Sequence, residues 1–99
     1  MLGYASVRRA RMKPGSAAAI AAKVAGEGLA LMRSVPGFRA YHQVIDADNV
    51  VTSLTVYDSA AAAEQGNRVV VPWIQKALAE YVVSSIDANE GELIVSQTA

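Results

Sequence analysis

The chain contains no cysteine and a single histidine, His42, among its 99 residues. Without cysteine it can form no disulfide, no thiolate nucleophile and no thiolate metal site. One histidine is too few for an ordinary zinc site made of protein side chains, so we expect no metal. Gly26 and Gly28 lie in a helical pattern and lack the third glycine of a nucleotide-binding loop, so we expect no cofactor either.

The chain also lacks an excess of charge of one sign. Nine basic and nine acidic residues give a formal net charge of zero, which argues against nucleic acid as a partner. The N-terminal segment lacks the long apolar core of a secretory signal. The apolar stretch at 17–32 is interrupted by Lys23 and Glu27, and it is too short to span a bilayer. We therefore expect a cytoplasmic protein that binds neither nucleic acid nor a membrane.

Charged residues are scarce altogether, because they make up 18% of the chain while hydrophobic residues make up 53%. A usual protein has about 25% charged residues. We expect one domain over residues 1–99, and a domain of this size has only a modest interior. The apolar surplus is best explained by a face that is buried against a partner. A large internal ligand cavity is the alternative.

Hydrophobic periodicity and turn residues predict four strands and two helices in the order βαββαβ. The predicted strands are 2–12, 38–45, 50–57 and 91–97, and the predicted helices are 17–35 and 60–83. Pro36 and Gly37 end the first helix, and Asp58 or Ser59 caps the second. This order is that of a ferredoxin-like α+β fold with a four-stranded antiparallel sheet, in which we expect the strand order 4-1-3-2.

The two central strands of this sheet carry apolar residues on both of their faces. One face has Ala40, Val44, Leu54 and Val56, and the other has Tyr41, Ile45, Val51 and Tyr57. A sheet with one wet face would alternate more cleanly between apolar and polar residues. We therefore expect the helices of the chain to cover one face and a second subunit to cover the other.

Several short motifs resemble a known family. These are Val35-Pro36-Gly37-Phe38 with Tyr41, the segment 50–59, Asn67-Arg68 followed by Trp73-Ile74, and the segment 91–95. In these the chain resembles the antibiotic-biosynthesis-monooxygenase-like proteins of the dimeric α+β barrel superfamily. The resemblance implies a homodimer whose two sheets face each other, with a small-molecule pocket between each sheet and its helices.

The resemblance also implies a range of activities. Some members oxidise electron-rich aromatic molecules with oxygen and without metal or flavin, while others degrade haem, isomerise lactones or have no known activity. The haem-degrading branch uses an asparagine in the first strand and a histidine in the second helix, and this chain has neither. We therefore expect a cofactor-independent monooxygenase-like protein that acts on a small aromatic or polyketide-like metabolite. The alternative is a non-catalytic dimer that binds a small apolar molecule.

Asn67 is the sharpest candidate for a catalytic residue, since the helical pattern places its amide within an apolar stripe. A buried amide without partners is costly, so it must bond to something. It could hold a substrate oxygen or stabilise an enolate or peroxide intermediate. It could equally bond a strand backbone or a neighbouring side chain, and we favour that structural interpretation slightly.

The other candidate residues also have two interpretations. His42 could be a general base, or a satisfied core residue. Tyr57 is a second candidate for the base, and Trp73, Tyr41 and Tyr4 could line a substrate pocket, although tyrosines on strands more often serve in packing. Arg9 and Arg39 could bind an anionic substrate, but solvated cross-strand pairing explains them better.

Overall fold

A computed structural model describes residues 2–99. The strands are β1 (Tyr4–Arg11), β2 (Phe38–Ile45), β3 (Val50–Tyr57) and β4 (Asp87–Glu92). Helix α1 consists of the consecutive segments Ala17–Lys23, Val24–Gly28 and Leu29–Arg33, of which the middle one is a π-helical turn. Helix α2 is Ala60–Ala77.

The four strands form one antiparallel sheet in the order β2-β3-β1-β4. This order confirms the predicted ferredoxin-like α+β fold and its strand order. The two inner strands, β3 and β1, are neighbours in the sheet although a helix and a strand separate them in sequence. Tyr4 is paired with Tyr57 at one end of these two strands, and Arg11 with Val50 at the other.

The last strand lies earlier in the sequence than predicted. The prediction of 91–97 followed the apolar residues after Gly91, but β4 is the polar segment Asp87–Glu92, and all six of its residues are exposed. Pairing with β1 fixes this position, with Tyr4 opposite Glu92 and Arg9 opposite Asp87. Ile94 and Val95 lie beyond the strand and are 82% and 77% exposed. Apolar residues thus do not mark this strand, because it is an edge strand defined by its backbone bonds.

Helix α2 is shorter than predicted, since it ends at Ala77 and not near residue 83. The following chain turns back onto the end of β1. The Lys13 N–H donates to the Tyr81 carbonyl at 2.8 Å, and the Val83 N–H donates to the Arg11 carbonyl at 2.9 Å. These sheet-like bonds compete with continuation of the helix and end it. At the other end Ser59 is the cap, since its Oγ accepts the Ala62 N–H at 3.1 Å.

Both helices pack on one face of the sheet and enclose two clusters of buried side chains. The larger contains Ala10, Met12, Ile20, Val24, Met32, Val51, Val70 and Leu78, and the smaller contains Val35, Tyr57, Ala62 and Ala63. Residues of β1 with even numbers face the helices, because side chains alternate along a strand. The opposite face, which we call the open face, carries the odd-numbered side chains of β1 and the even-numbered ones of β2 and β3.

The open face is largely apolar and lies on the side of the sheet away from the two helices. Val7 and Leu54 are half-buried there, while His42 is exposed and Val44 is 63% exposed. His42 lies opposite Leu54, and Val44 lies opposite Thr52. One of the two apolar faces predicted from the central strands is therefore covered by the helices, and the other is accessible in the single chain.

Candidate functional site

A cavity lies between the sheet and the two helices. Arg8, Tyr41 and Ser53 line it from the sheet, and Met32, Trp73 and Ile74 line it from the helices. The space in and in front of the cavity is about 420 Å³, part of it open to solvent, and about 30 Å³ is available to the centre of a water molecule. The free room is therefore enough for roughly two waters. A ring-sized ligand could enter only if one or more lining side chains moved.

Arg8 is the one side chain of the cavity wall that carries a buried charge. It is 3% exposed, and it donates from Nη1 to Asn67 Oδ1 at 2.7 Å and from Nη2 to Thr55 Oγ1 at 2.6 Å. Its Nε has no hydrogen-bond partner among the described residues. Burial lowers the pKa of the Arg8 guanidinium, an effect that the nearby Tyr41 and Tyr57 oppose.

Asn67 connects this arginine to the edge of the sheet. Its Oδ1 accepts from Arg8, and its Nδ2 lies 3.0 Å from Ser6 Oγ and 2.5 Å from Glu90 Oε1. The amide is half-buried, and Asn67 lies next to the buried Gly66 on α2. Asn67 thus bonds side chains of two strands, which is one of the two arrangements that the sequence had left open.

Trp73 forms a half-buried part of the cavity wall. Its indole N–H donates to Glu27 Oε2 at 3.1 Å, and its ring packs on Gly28, where an added Cβ would lie 3.0 Å from the ring. Both partners belong to the π-helical turn of α1, and π turns are frequent at functional sites. Trp73 also borders a surface groove that contains Lys23 and Glu80. The indole therefore separates the cavity from this groove.

The two tyrosines whose pKa is raised chiefly by burial occupy different positions. Tyr41 lines the cavity, and burial raises the pKa of its hydroxyl while Arg8 opposes the shift. Tyr57 is fully buried in the smaller core cluster, outside the cavity lining. Burial raises the pKa of Tyr57 against the effect of Arg8. The Tyr57 hydroxyl has no hydrogen-bond partner among residues 2–99.

The structure brings only some of the predicted site residues together. Tyr41 and Trp73 line the cavity, and Asn67 reaches its wall through Arg8. Tyr4 is half-buried beside the Tyr57 cluster, which does not open into the cavity. His42 lies on the open face of the sheet, because residues of even number in β2 point away from the helices. The alternation of side chains along the strands thus separates the six candidates, and their catalytic and pocket roles stay predictions.

Arg8 was missed by the sequence reasoning, which considered Arg9 and Arg39 as possible anion-binding residues. Arg9 is exposed, and Arg39 pairs with Asp58 at 3.6 Å. The available signal was the position of Arg8 on the same face as Ala10 and Met12, two buried apolar residues. The run Arg8-Arg9-Ala10-Arg11 obscured that signal, because adjacent arginines in a strand point to opposite faces.

Comparison with known proteins identifies the family. Residues 3–66 match the family described as antibiotic biosynthesis monooxygenase, and the chain belongs to this family. Proteins of the family are typically dimeric. No curated protein matches the sequence.

Solved structures of other proteins share the fold at low sequence identity. A protein of unknown function from Nitrosomonas europaea is 18% identical with a TM-score of 0.79, and the match covers 98% of this chain and 94% of that one. A monooxygenase of Streptomyces coelicolor in complex with nanaomycin D is 16% identical with a TM-score of 0.76, covering 99% and 93%. The Rv0793 protein of Mycobacterium tuberculosis is 14% identical with a TM-score of 0.72, covering 97% and 99%. At these identities the likeness concerns the fold.

Two kinds of feature are absent from the described residues. In residues 2–99, neither helix has the length and apolar character that crossing a membrane requires. The same residues contain no group of three histidine, aspartate or glutamate side chains placed to hold a metal ion.

Proposed function

We propose that the cavity between sheet and helices binds a small aromatic or polyketide-like molecule, and that the protein is a monooxygenase-like enzyme of the cofactor-independent kind. The observation that carries this proposal is the cavity itself, with its apolar walls and the buried Arg8 and Asn67 pair beside it. The family description supports monooxygenase chemistry. The similar fold of the Streptomyces monooxygenase, which binds nanaomycin D, supports the class of ligand.

The proposed reaction begins with loss of a proton from an activated CH₂ group of the ligand. The resulting carbanion transfers its electrons to O₂, so that one oxygen atom becomes the carbonyl oxygen of the product. The other oxygen atom leaves as water, and the balance is R₂CH₂ + O₂ → R₂C=O + H₂O. In such chemistry the protein excludes water and stabilises the negative charge that develops on the ligand.

Asn67 is our candidate for a residue that acts on this charge, through its bond to Arg8 or through its own amide. Trp73 and Tyr41 would contact the rings of the ligand. The catalytic roles of His42 and Tyr57 and the pocket role of Tyr4 stay predictions. Asn67 does not line the cavity either, but its bond to Arg8 connects it to the cavity wall, which makes it the stronger candidate.

We propose that the ligand enters by movement of Trp73. The cavity has free room for roughly two waters, while Trp73 stands between the cavity and the surface groove. One hydrogen bond to an exposed carboxylate, that of Glu27, holds the indole in place. Rotation of the indole would therefore break one exposed bond and join the cavity to the groove.

We also propose that two copies of the chain associate through the open face. Val44 and Leu54 would be covered there, which accounts for the apolar surplus of the composition. His42 would then lie at the interface between the subunits. The cytoplasmic location and the single domain over residues 1–99 stay predictions.

Oxygen consumption tests the enzymatic proposal directly. Purified protein would be incubated with a panel of anthrones and 1,3-diketones, with an oxygen electrode as the detector and mass spectrometry to identify the product. A substrate should consume one O₂ for each ligand and gain one oxygen atom in place of two hydrogens. Asn67→Ala should lose this turnover, while Arg68→Ala, at the exposed neighbouring position, should retain it. Full turnover by a folded Asn67→Ala variant would contradict the role of Asn67.

A non-catalytic binding protein is the second candidate function. The observation that favours it is the position of His42, which leaves the cavity without the predicted general base. Nanaomycin D serves as a probe, since Trp73 is the only tryptophan of the chain and its fluorescence reports on the cavity wall. Quenching of Trp73 and a raised melting temperature, without oxygen uptake for any compound of the panel, would favour the binding protein.

A further inference from the structure

Arg8 is a buried cation whose binding capacity is only partly used. The side chain is 3% exposed, and its Nε has no hydrogen-bond partner in the described part of the chain. Its two bonds go to neutral groups, the Asn67 amide oxygen and the Thr55 hydroxyl. Buried charges in proteins are normally paired with an opposite charge. Arg8 departs from this rule.

No carboxylate of the chain neutralises this charge by direct contact. The ion pairs among residues 2–99 are Lys23–Glu80, Arg39–Asp58 and Arg68–Glu64, and none of them includes Arg8. Glu90 is the carboxylate that is connected to Arg8 through hydrogen bonds. It contacts Asn67 Nδ2, so it reaches Arg8 only through that amide. Glu90 is also exposed, so solvent weakens its field. A negative charge supplied from outside the chain would complete the arrangement.

The cavity in front of Arg8 favours a particular kind of anion. Its remaining walls include Met32, Trp73 and Ile74, and these suit an apolar ring better than a small hydrated ion. The planar guanidinium binds oxyanions well, since it offers several donors in a fixed geometry. Tyr41, also in the wall, has a raised pKa because of its burial and thus keeps its proton at neutral pH.

We propose that the cavity binds its aromatic ligand in the deprotonated form, with a phenolate or enolate oxygen held by Arg8. This inference rests on the proposed function, in which the cavity is the ligand site, and adds the charge of the ligand and the residue that selects it. An apolar cavity alone would raise the pKa of a bound phenol, while a cation within about 4–6 Å lowers it by roughly 1–3 units. Arg8 should therefore make the bound ligand more acidic than it is in water.

4-Nitrophenol is a suitable probe, because it ionises near neutral pH and its phenolate absorbs visible light while the phenol does not. A pH titration of the probe with saturating protein gives the pKa of the bound form, and a parallel titration gives that of the free form. 4-Nitroanisole has the same ring but cannot ionise, so its affinity, measured by quenching of Trp73, reports on the cavity without the charge.

Four variants separate the charge of Arg8 from its packing. Arg8→Met removes the charge at similar length, and Arg8→Lys retains it. Asn67→Asp places a carboxylate at the position where Asn67 Oδ1 now accepts from Arg8 at 2.7 Å. This carboxylate neutralises the cation with a charge of the chain itself, without a ligand. Arg11→Met is the control, since Arg11 is an exposed residue of the same strand outside the cavity lining.

The wild-type protein should lower the pKa of the bound phenol by about one unit or more, and it should bind 4-nitrophenolate about tenfold more tightly than 4-nitroanisole. Arg8→Met and Asn67→Asp should abolish both effects, Arg8→Lys should keep part of them, and Arg11→Met should match the wild type. If Arg8→Met does not fold, Arg8→Lys and Asn67→Asp decide the outcome. A pKa that stays lowered in Asn67→Asp or in a folded Arg8→Met, or one that is not lowered in the wild type, would overturn the inference.

The two probes also distinguish this inference from the proposed function. Equal affinity of the wild type for 4-nitroanisole and 4-nitrophenolate would leave a cavity for neutral aromatic molecules, so the proposed function would stand and the role of Arg8 as an anion-binding residue would fall. Binding of neither probe, with the Trp73 fluorescence unchanged, would count against the cavity as an aromatic site and overturn both.

Discussion

Replacement of Tyr57 by phenylalanine should stabilise the protein. The Tyr57 side chain is fully buried and its hydroxyl has no hydrogen-bond partner among the described residues. A buried hydroxyl that lacks a partner costs about 1–3 kcal/mol of desolvation. The variant removes that cost and leaves the ring, which packs edge-on against Phe38 with centroids 6.3 Å apart.

One effect opposes the gain. The hydroxyl fills the space next to Gly66, where even a methyl group would overlap it, so its removal leaves a small void. At about 24 cal/mol per Å³ of cavity, a void smaller than a methyl group costs roughly a few tenths of a kcal/mol. The net gain should be about 1–2 kcal/mol, and in a domain of this size each kcal/mol raises the melting temperature by about 4–8 °C.

The alkaline side of the stability curve gives an independent test of the same burial. Burial raises the pKa of the Tyr57 hydroxyl in the folded protein, so the folded state keeps a proton that the unfolded chain releases above pH about 10. The free energy of unfolding therefore falls as the pH rises from about 10 through the raised pKa of the folded state. The free energy of unfolding of the Tyr57→Phe variant should fall less over this pH range than that of the wild type.

Urea unfolding at neutral pH and at several alkaline pH values, followed by circular dichroism, measures both effects. Tyr4→Phe is the control, because Tyr4 pairs with Tyr57 across the strands but is only half-buried, and its stability should change little. A Tyr57→Phe variant that is less stable than the wild type at neutral pH would refute the reasoning. It would show that the hydroxyl has a partner in solution, such as a bound water.

The remaining predictions concern packing, the wall of the cavity and the open face. Gly66→Ala should destabilise the fold by at least about 1–3 kcal/mol through overpacking against Tyr57, while Gln65→Ala at the exposed neighbouring position should be nearly neutral by urea unfolding. Glu27→Ala removes the acceptor of the Trp73 indole and should increase acrylamide quenching of its fluorescence, with Glu80→Ala unchanged; equal quenching in all three proteins would contradict the role of Glu27. Val44→Glu places a charge on the open face and should sediment as a single folded chain where the wild type and Gln65→Glu sediment as dimers.

Most of the fold follows from the sequence because the central elements have clear local signals. The bounds of β2 and β3 agree with the prediction, since aromatic and β-branched residues fill both strands and turn residues flank them. The edge strand β4 has no such signal, because its residues are polar and exposed and its position depends on bonds to β1. The π turn of α1 was equally out of reach, since the two glycines of Val24–Gly28 disfavour a helix but do not specify a π turn.

The candidate site was less predictable than the fold. Asn67 stood out because one amide interrupts an apolar stripe, and a helical projection can detect that. Its partners, Ser6 and Glu90, come from distant strands, and no local pattern connects them. His42 and Tyr41 are neighbours in sequence but lie on opposite faces of β2. Whether such a residue meets the helices or the open face depends on the register of the whole sheet.

Arg8 shows why the site departs from the patterns that specify the fold. Its burial lowers its pKa, which means that the folded state disfavours its charge relative to water. Loss of a proton does not remove this cost, because the guanidinium stays protonated throughout the accessible pH range. The neutral bonds to Asn67 and Thr55 offset only part of it, since neither partner carries an opposite charge. A methionine would fill the same space without desolvating a charge, so packing alone does not explain an arginine in this position. An anion in the cavity would explain the arginine. Its attraction to the guanidinium would replace the favourable interaction with water that the guanidinium lost on burial.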